Sequence, residues 1–353
     1  MYLYRFLVYL REKRPCTEIT IICRGTSIGA LGPKFLALGV DVVHMPSSFH
    51  SLPDYFHLYR KLRALECNAI CDFSGYLSGF VLLMGYFLGI NNRIASYRES
   101  RFQFQPSLPK KLFVYVSKLL ITIFATRILS NSREAFEYFH PGYFGKEKFK
   151  IIFNSISKYD QVGEDRCREF LAEHEIPQDA FVVGHVGRFT SAKNHIMISK
   201  FIREINLQDD NVHFLLCGQG VKDGMNCLDS SLKNLHCIEY IESLNIFYNS
   251  LDLFYFPSLN EGQPNVLLES LSVGLPIIAS DISVHRESVP KLLAPWLIPA
   301  SDMAMTLSTY KKYRNNKLSF PSAEAARWVR IKYASTENFE LFFNELKGNL
   351  QYD

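Results

Sequence analysis

Short runs of β-branched and aromatic residues alternate along the chain with longer stretches whose apolar positions recur at helical spacing. In the first part the strand-like runs fall at residues 18–23, 40–44, 69–72, 93–96, 127–130 and 150–152. This alternation predicts a parallel sheet covered by helices. A polar, charged stretch over 158–178 reads as an interdomain linker followed by a short helix, after which the pattern starts again. Five more strands are predicted at 181–186, 212–217, 235–239, 253–256 and 276–279. The expectation is an α/β protein of two Rossmann-like, doubly wound domains, residues 1–157 and 158–334. Residues 335–353 add a terminal amphipathic helix, predicted over 335–350, in which Phe339, Leu341, Phe342, Leu346 and Leu350 keep largely helical spacing.

Composition adds little until it is divided by segment. With 353 residues and 48% hydrophobic content the chain can fill two such domains, and disorder is excluded as its main state. The net charge of +4 hides an asymmetry: 20 Lys/Arg against 10 Asp/Glu in residues 1–150, and 19 against 25 in the remainder. A basic first half suits an anionic neighbour such as a membrane surface or a phosphate-bearing partner, although solvated surface charge gives the same count. Eight cysteines are scattered without a Cys-x-x-Cys pair, the usage of a reducing compartment and the wrong spacing for zinc.

Residues 1–14 carry charge throughout, so no secretory signal is expected and the location predicted is cytoplasmic. The longest apolar segment, residues 75–90, falls short of the roughly 20 residues that span a bilayer. A second, 112–129, is interrupted by Lys118 and Arg127. Both read as buried or amphipathic helices, and the second is compatible with a peripheral contact at the inner face of a membrane.

In open sheets of this kind, ligands bind beyond the carboxyl ends of the strands. The loop after the strand 181–186 runs Gly187-Arg188-Phe189-Thr190-Ser191-Ala192-Lys193-Asn194, and its two permanent cations are what a diphosphate needs when no metal is present. The next loop, Cys217-Gly218-Gln219-Gly220, removes side chains where a ligand could approach the backbone, though a plain turn fits as well. The loop after 253–256 is more specific. It contains Glu261, Gly262, Pro264, Asn265 and Val266, with a helix expected to begin near Pro264 or Asn265. The free amides of that first turn, with the helix dipole, suit a phosphate. Glu261 stands just outside the helix and Glu269, eight positions on, inside it among Leu267, Leu268 and Leu271. A carboxylate accepts two hydrogen bonds from vicinal hydroxyls, so Glu269 suits a ribose and Glu261 a second sugar. An exposed helical Glu269 would not explain those leucines, among which an unpaired charge is costly.

The block from Asn260 to Asp281 resembles the E-x7-E signature of the retaining glycosyltransferases of family four, which have the GT-B fold of two Rossmann-like domains facing across a cleft. Gly187-Arg188 and Lys193-Asn194 resemble that family's diphosphate-binding loop. The resemblance implies a hexosyltransferase of the kind that assembles capsule or O-antigen chains, with an acceptor-side first domain completed by the terminal helix and a donor-side second domain. Arg188, Lys193 and the amides of Asn265 and Val266 would then bind the donor diphosphate, with Gly187, Asn194, Gly218 and Gly262 in the same donor site. Glu269 would hold the ribose, Glu261 would orient the donor sugar, and Ile241 would lie against the nucleobase.

Two departures accompany the resemblance. Members open with a strand and a glycine-rich loop, whereas residues 1–14 here already read as a helix, so the first strand is expected to be missing. After the strand 93–96, where many members have a histidine near the reacting centre, this chain has Tyr97-Arg98-Glu99. Arg98 is placed to contact the acceptor or the leaving phosphate, but a side chain that stays protonated is no base. The expected partners are a UDP- or GDP-linked sugar as co-substrate and a saccharide or lipid-linked acceptor, with no nucleic acid. The resemblance implies same-face substitution with retention; no cofactor and no metal are expected, since the basic loop can serve the diphosphate and the chain has no Asp-x-Asp pair. A covalent intermediate on Glu261 is the mechanistic alternative. A sugar-nucleotide epimerase on the same fold, or a non-catalytic binding protein, would share the donor loops. A glycan phosphorylase would need a pyridoxal-binding lysine in a larger chain.

Overall fold

The computed structural model describes residues 2–29, 31–46, 51–101, 108–143, 145–334 and 336–348. The chain divides into one unit of residues 1–155 with 335–353 and a second of residues 156–334. The first unit contains α1 (Tyr2–Lys13), β1 (Thr20–Cys23), α2 (Gly32–Ala37), β2 (Asp41–His44), α3 (Leu52–Leu65) and β3 (Ala69–Asp72). It continues with α4 (Gly79–Phe87), β4 (Asn92–Tyr97), α5 (Leu108–Phe124), β5 (Arg127–Ser130), α6 (Arg133–Phe139) and β6 (Phe149–Ile151). The second unit contains α7 (Glu164–Glu173), β7 (Phe181–Val186), α8 (His195–Asn206), β8 (Val212–Cys217), α9 (Val221–Leu228) and β9 (Leu235–Ile238). It ends with α10 (Leu244–Asn249), β10 (Leu253–Phe256), α11 (Asn265–Ser272), β11 (Ile277–Ser280), α12 (Ser283–Ser288), β12 (Leu297–Ile298), α13 (Met303–Arg314) and α14 (Ser322–Tyr333). The last helix, α15 (Glu337–Lys347), belongs to the first unit.

The second unit holds one sheet in the order β12-β11-β10-β7-β8-β9, with every pair parallel. Its first strand therefore lies in the middle, and the order reverses there, which makes the gap between the loops after β7 and β10 the place for a ligand. Helices on both faces cover the central strands, so β8 and β10 are buried at every position instead of at alternating ones.

In the first unit the parallel strands form two separate sheets, β1-β2 and β3-β4-β5-β6. Among the described residues no strand joins β1 to β3, the position that β7 fills in the other unit. Consistent with that gap, every residue of β1 and the first three of β3 are only half-buried.

The terminal helix closes this unit. Phe339, Phe342 and Phe343 of α15 pack with Phe6, Tyr9 and Leu10 of α1 and with Ile94 and Leu129 of the sheet. Burying each such ring stabilises the fold by about 1.5–3 kcal/mol. Glu345 fixes the register, accepting from Arg127 Nε at 2.8 Å and Lys150 Nζ at 2.5 Å. Ser335 and residues 349–353 of the expected terminal segment lie outside the described residues.

One expected element is corrected. The apolar segment 112–129 is a helix and a strand: α5 ends at Phe124, and Thr126, whose amide donates to the Arg93 carbonyl at 2.8 Å, has already joined β4. Hydropathy runs continuously across that junction because both elements are buried on one side. Among the described residues no helix is long and apolar enough to cross a membrane.

Helices α4 and α5 cross closely at Gly79, whose amide donates to Ser117 Oγ at 3.0 Å; a Cβ there would lie 2.3 Å from the Ser117 carbonyl oxygen. Gly79→Ala must push two backbones apart. We expect a loss of about 2–3 kcal/mol, the upper range for overpacking, visible as a lower urea midpoint at unchanged slope. An unchanged midpoint would show that the helices yield without cost.

Candidate functional site

The loops after β7, β8 and β10 meet at one edge of the second unit's sheet. Gly218 allows the first two to touch: with φ +155°, a Cβ would lie 2.2 Å from the Gly187 carbonyl oxygen. The Phe189 amide donates to the Gln219 carbonyl at 2.9 Å, and the Leu259 amide to Ala192 at 2.8 Å, which joins the first loop to the third. Asn194 ends the first loop in the left-handed region, φ 57°, and its amide nitrogen Nδ2 donates to the carbonyls of Pro257 (3.1 Å) and Ala300 (3.3 Å).

These bonds hold Lys193 against the third loop. Its Nζ lies 2.6 Å from Glu261 Oε1 and 4.7 Å from the centre of the Phe256 ring, with the two charged side chains 18% and 12% exposed. Carboxylate and ring face both favour the cation. Arg188, one residue after Gly187, is exposed, and Gly262 is half-buried beside Glu261. Three buried histidines surround the lysine without adding charge. Burial pushes His195 and His285 down to about 4, and lowers His185 well below the usual imidazole range, so all three are neutral at pH 7. His185 Nδ1 is 3.0 Å from the Tyr255 carbonyl, as a neutral donor would be.

Helix α11 begins at Asn265 as expected, and its first i to i−4 bond runs from the Leu268 amide to the Pro264 carbonyl at 3.0 Å. The amides of Val266 and Leu267 precede that bond and carry the positive end of the helix. Asn265 departs from the expectation: its amide donates to the Gln263 carbonyl at 2.8 Å, a tight local turn that takes it away from an incoming anion. Glu269 is 2% exposed among fully buried Leu267, Leu268 and Leu271, and the Tyr248 hydroxyl approaches it at 3.4 Å. The carboxylate faces the interior of this corner and not bulk water.

Other predicted residues lie differently. Ile241 is half-buried just past β9, next to an exposed Tyr240. Beside it Glu239, which sequence reasoning passed over, accepts the amides of Gly220 at 2.7 Å and Lys222 at 3.1 Å and so occupies the start of α9. An acidic residue closing the next predicted strand after a Gly-x-Gly loop and its helix was the available signal. Arg98, expected to reach the acceptor or the leaving phosphate, packs within the first unit. Its Nε donates to Ser96 Oγ at 3.0 Å, another nitrogen donates to Asn154 Oδ1, and its guanidinium lies 4.0 Å from the Tyr2 ring centre. Aromatic faces and two acceptors hold the guanidinium in place.

The sequence also concealed a pair in the first unit. Arg24 Nη2, directly after β1, lies 3.1 Å from Asp72 Oδ2 at the end of β3, both largely buried, and donates to Ser74 Oγ at 2.6 Å. With Met45, Asp54 and His57 it lines a hollow beyond the strand ends. Its signal was positional: an arginine and an aspartate, each at the carboxyl end of a predicted strand.

The family model described as glycosyl transferases group 1 matches residues 180–309, the span that holds Arg188, Lys193, Glu261 and Glu269. The O-antigen biosynthesis glycosyltransferase WclY of Escherichia coli is 24% identical over 225 residues, 62% of this chain and 61% of its own. The chain thus matches about three fifths of that relative's length. A second E. coli protein, the UDP-Gal:alpha-D-GlcNAc-diphosphoundecaprenol alpha-1,3-galactosyltransferase, is 30% identical over 153 residues, 40% of this chain and 39% of its own. Among solved structures, Anabaena HepE in complex with UDP and glucose superposes with a TM-score of 0.77 at 15% identity, covering 98% of this chain and 95% of that one. The fold is GT-B.

Proposed function

We propose, from the match of residues 180–309 to the glycosyl transferases group 1 family model, that this chain is a retaining hexosyltransferase of capsule or O-antigen assembly. The observation that carries the reading is the 2.6 Å contact between Lys193 and Glu261, set beside the start of α11 and the buried Glu269. In this reading Lys193, Arg188 and the Val266 amide take the diphosphate of a nucleotide sugar, and Glu269 takes the ribose. Lys193 exchanges Glu261 for the phosphate as the donor enters, which frees the carboxylate to hold hydroxyls of the sugar. As the bond to the anomeric carbon breaks, the cations and the helix start stabilise the departing diphosphate, and the acceptor enters on the same face. The charge of the leaving group is met by side chains already present, so no metal is required.

A uridine donor is favoured by the likeness to a protein crystallised with UDP. A saccharide on a lipid diphosphate is favoured as acceptor by the relative whose name specifies diphosphoundecaprenol, and by the excess of 20 basic over 10 acidic residues in positions 1–150.

The test is a thermal-shift panel of UDP- and GDP-linked sugars followed by an assay of nucleoside diphosphate release with and without lipid-linked saccharide. A true donor at 100 times its Kd adds about 2.7 kcal/mol of stability, and release should depend on acceptor. Isomerised sugar without acceptor would replace the reading by an epimerase, and binding with no turnover by a non-catalytic protein. A chelator should leave turnover unchanged; complete loss, restored by a divalent ion, would refute the metal-free clamp.

A further inference from the structure

Helix α5 is apolar on two sides. Val114, Ser117 and Ile121 are buried within the unit, yet Leu112, Tyr115, Leu119 and Ile123 recur at spacings of three and four and are 66%, 68%, 50% and 57% exposed. The surface continues onto α3. Tyr55 lies 5.5 Å from Phe80, which stacks 5.0 Å from Phe113, and this ladder connects α5 to the outward Leu52 and Phe56, 82% and 61% exposed. A helix with an apolar outer stripe calls for cover, because single exposed hydrophobes are ordinary but a contiguous face is not.

Charge identifies the cover. Helices α3, α4 and α5 carry Arg60, Lys61, Arg63, Lys110, Lys111 and Lys118 against the single acidic residue Asp54. Lys111 stands one turn before Tyr115 on the exposed stripe, and Arg60 one turn after Phe56. A second copy of the chain would set this basic face against itself, since a two-fold contact repeats the same patch on both sides. An anionic surface with an apolar interior matches both properties.

We propose that this face seats the chain on an anionic lipid bilayer, with Leu112, Tyr115, Leu119 and Ile123 entering the boundary between headgroups and acyl chains and the lysines and arginines meeting lipid phosphates. The inference deepens the lipid-linked acceptor reading, because a seated enzyme meets its acceptor in the plane of the membrane, but it requires neither donor nor turnover.

The experiment is flotation of the full chain with vesicles of phosphatidylcholine alone or mixed in equal parts with phosphatidylglycerol. Co-flotation is expected with the mixed vesicles, little with phosphatidylcholine, and several-fold less at high salt. Leu112→Ser with Leu119→Ser, and separately Lys110→Glu with Lys111→Glu, should each cut the bound fraction by about tenfold or more, at an unchanged melting temperature. The lysine pair, being exposed, keeps the test decisive if the leucine pair perturbs folding. No binding by the parent chain, equal binding to both vesicles, or variants that float like the parent would overturn the proposal. So would a dimer in light scattering that the leucine pair dissociates, which would identify a second copy as the occupant. Failure here with a positive donor thermal shift leaves the donor site standing; flotation without any donor binding would count against the donor site alone.

Discussion

Glu261→Gln is expected to lower turnover by about 10²–10³-fold, the usual loss when one polar group aimed at the reacting centre is removed, while UDP binds as well as before or several-fold more tightly. In the free protein the Lys193 ammonium is committed to Glu261 at 2.6 Å in a mostly buried corner. If diphosphate and carboxylate compete for the same cation, neutralising the carboxylate releases the lysine for phosphate and deprives the sugar of its holder. Lys193→Met should do the reverse, costing UDP affinity and turnover together. The double variant should be little worse than the single ones, because the two groups act as one device and their effects do not add. Calorimetric titration with UDP and an assay of its acceptor-dependent release measure the two quantities separately. Should Glu261→Gln weaken UDP as much as Lys193→Met, the ion pair would be structural and the exchange of partners abandoned.

That pairing was invisible in the sequence, where 68 positions separate the two residues, although each was singled out on its own loop. Loop residues at strand ends are legible as candidates because the topology of a doubly wound sheet sends them to one edge. Which of them touch depends on bonds such as that from the Asn194 side chain to the carbonyls of Pro257 and Ala300, and no periodicity encodes these. The strands of the second unit are legible, Phe181–Val186, Val212–Cys217 and Leu253–Phe256 at their observed bounds, because strands buried on both faces are mostly apolar, interrupted here only by Gly184, His185 and His213. The two-residue β12 is too short to carry a pattern. At the junction of α5 and β5 the same apolar continuity misled, since a helix and the strand after it can share one hydrophobic run. Arg98 shows another limit: no pattern around a strand end reveals that α1 and α15, from distant parts of the chain, bring Tyr2 and Phe342 against its guanidinium.

Glu269→Gln should separate the stability of the fold from its use. Glutamine keeps the shape of the side chain and one accepting oxygen but removes the charge, so in the free protein the change is expected to stay within about 1 kcal/mol, since the hydrogen bonds lost by a side chain only 2% exposed are offset by relief of the cost of burying a charge. Donor binding should suffer far more. A carboxylate that accepts from two vicinal hydroxyls makes charge-assisted bonds worth about 1.5–3 kcal/mol each, and loss of even one corresponds to a fall in affinity of roughly tenfold to a hundredfold. Thermal unfolding with and without UDP reads both at once: the variant alone should melt close to the parent, and the shift produced by UDP should shrink or vanish. Free ribose hydroxyls are the relevant partners, so a 2′,3′-dideoxy nucleotide should bind parent and variant almost alike. A variant that unfolds early yet keeps the full UDP shift would make Glu269 a core residue of α11 and would return the eight-residue spacing from Glu261 to coincidence.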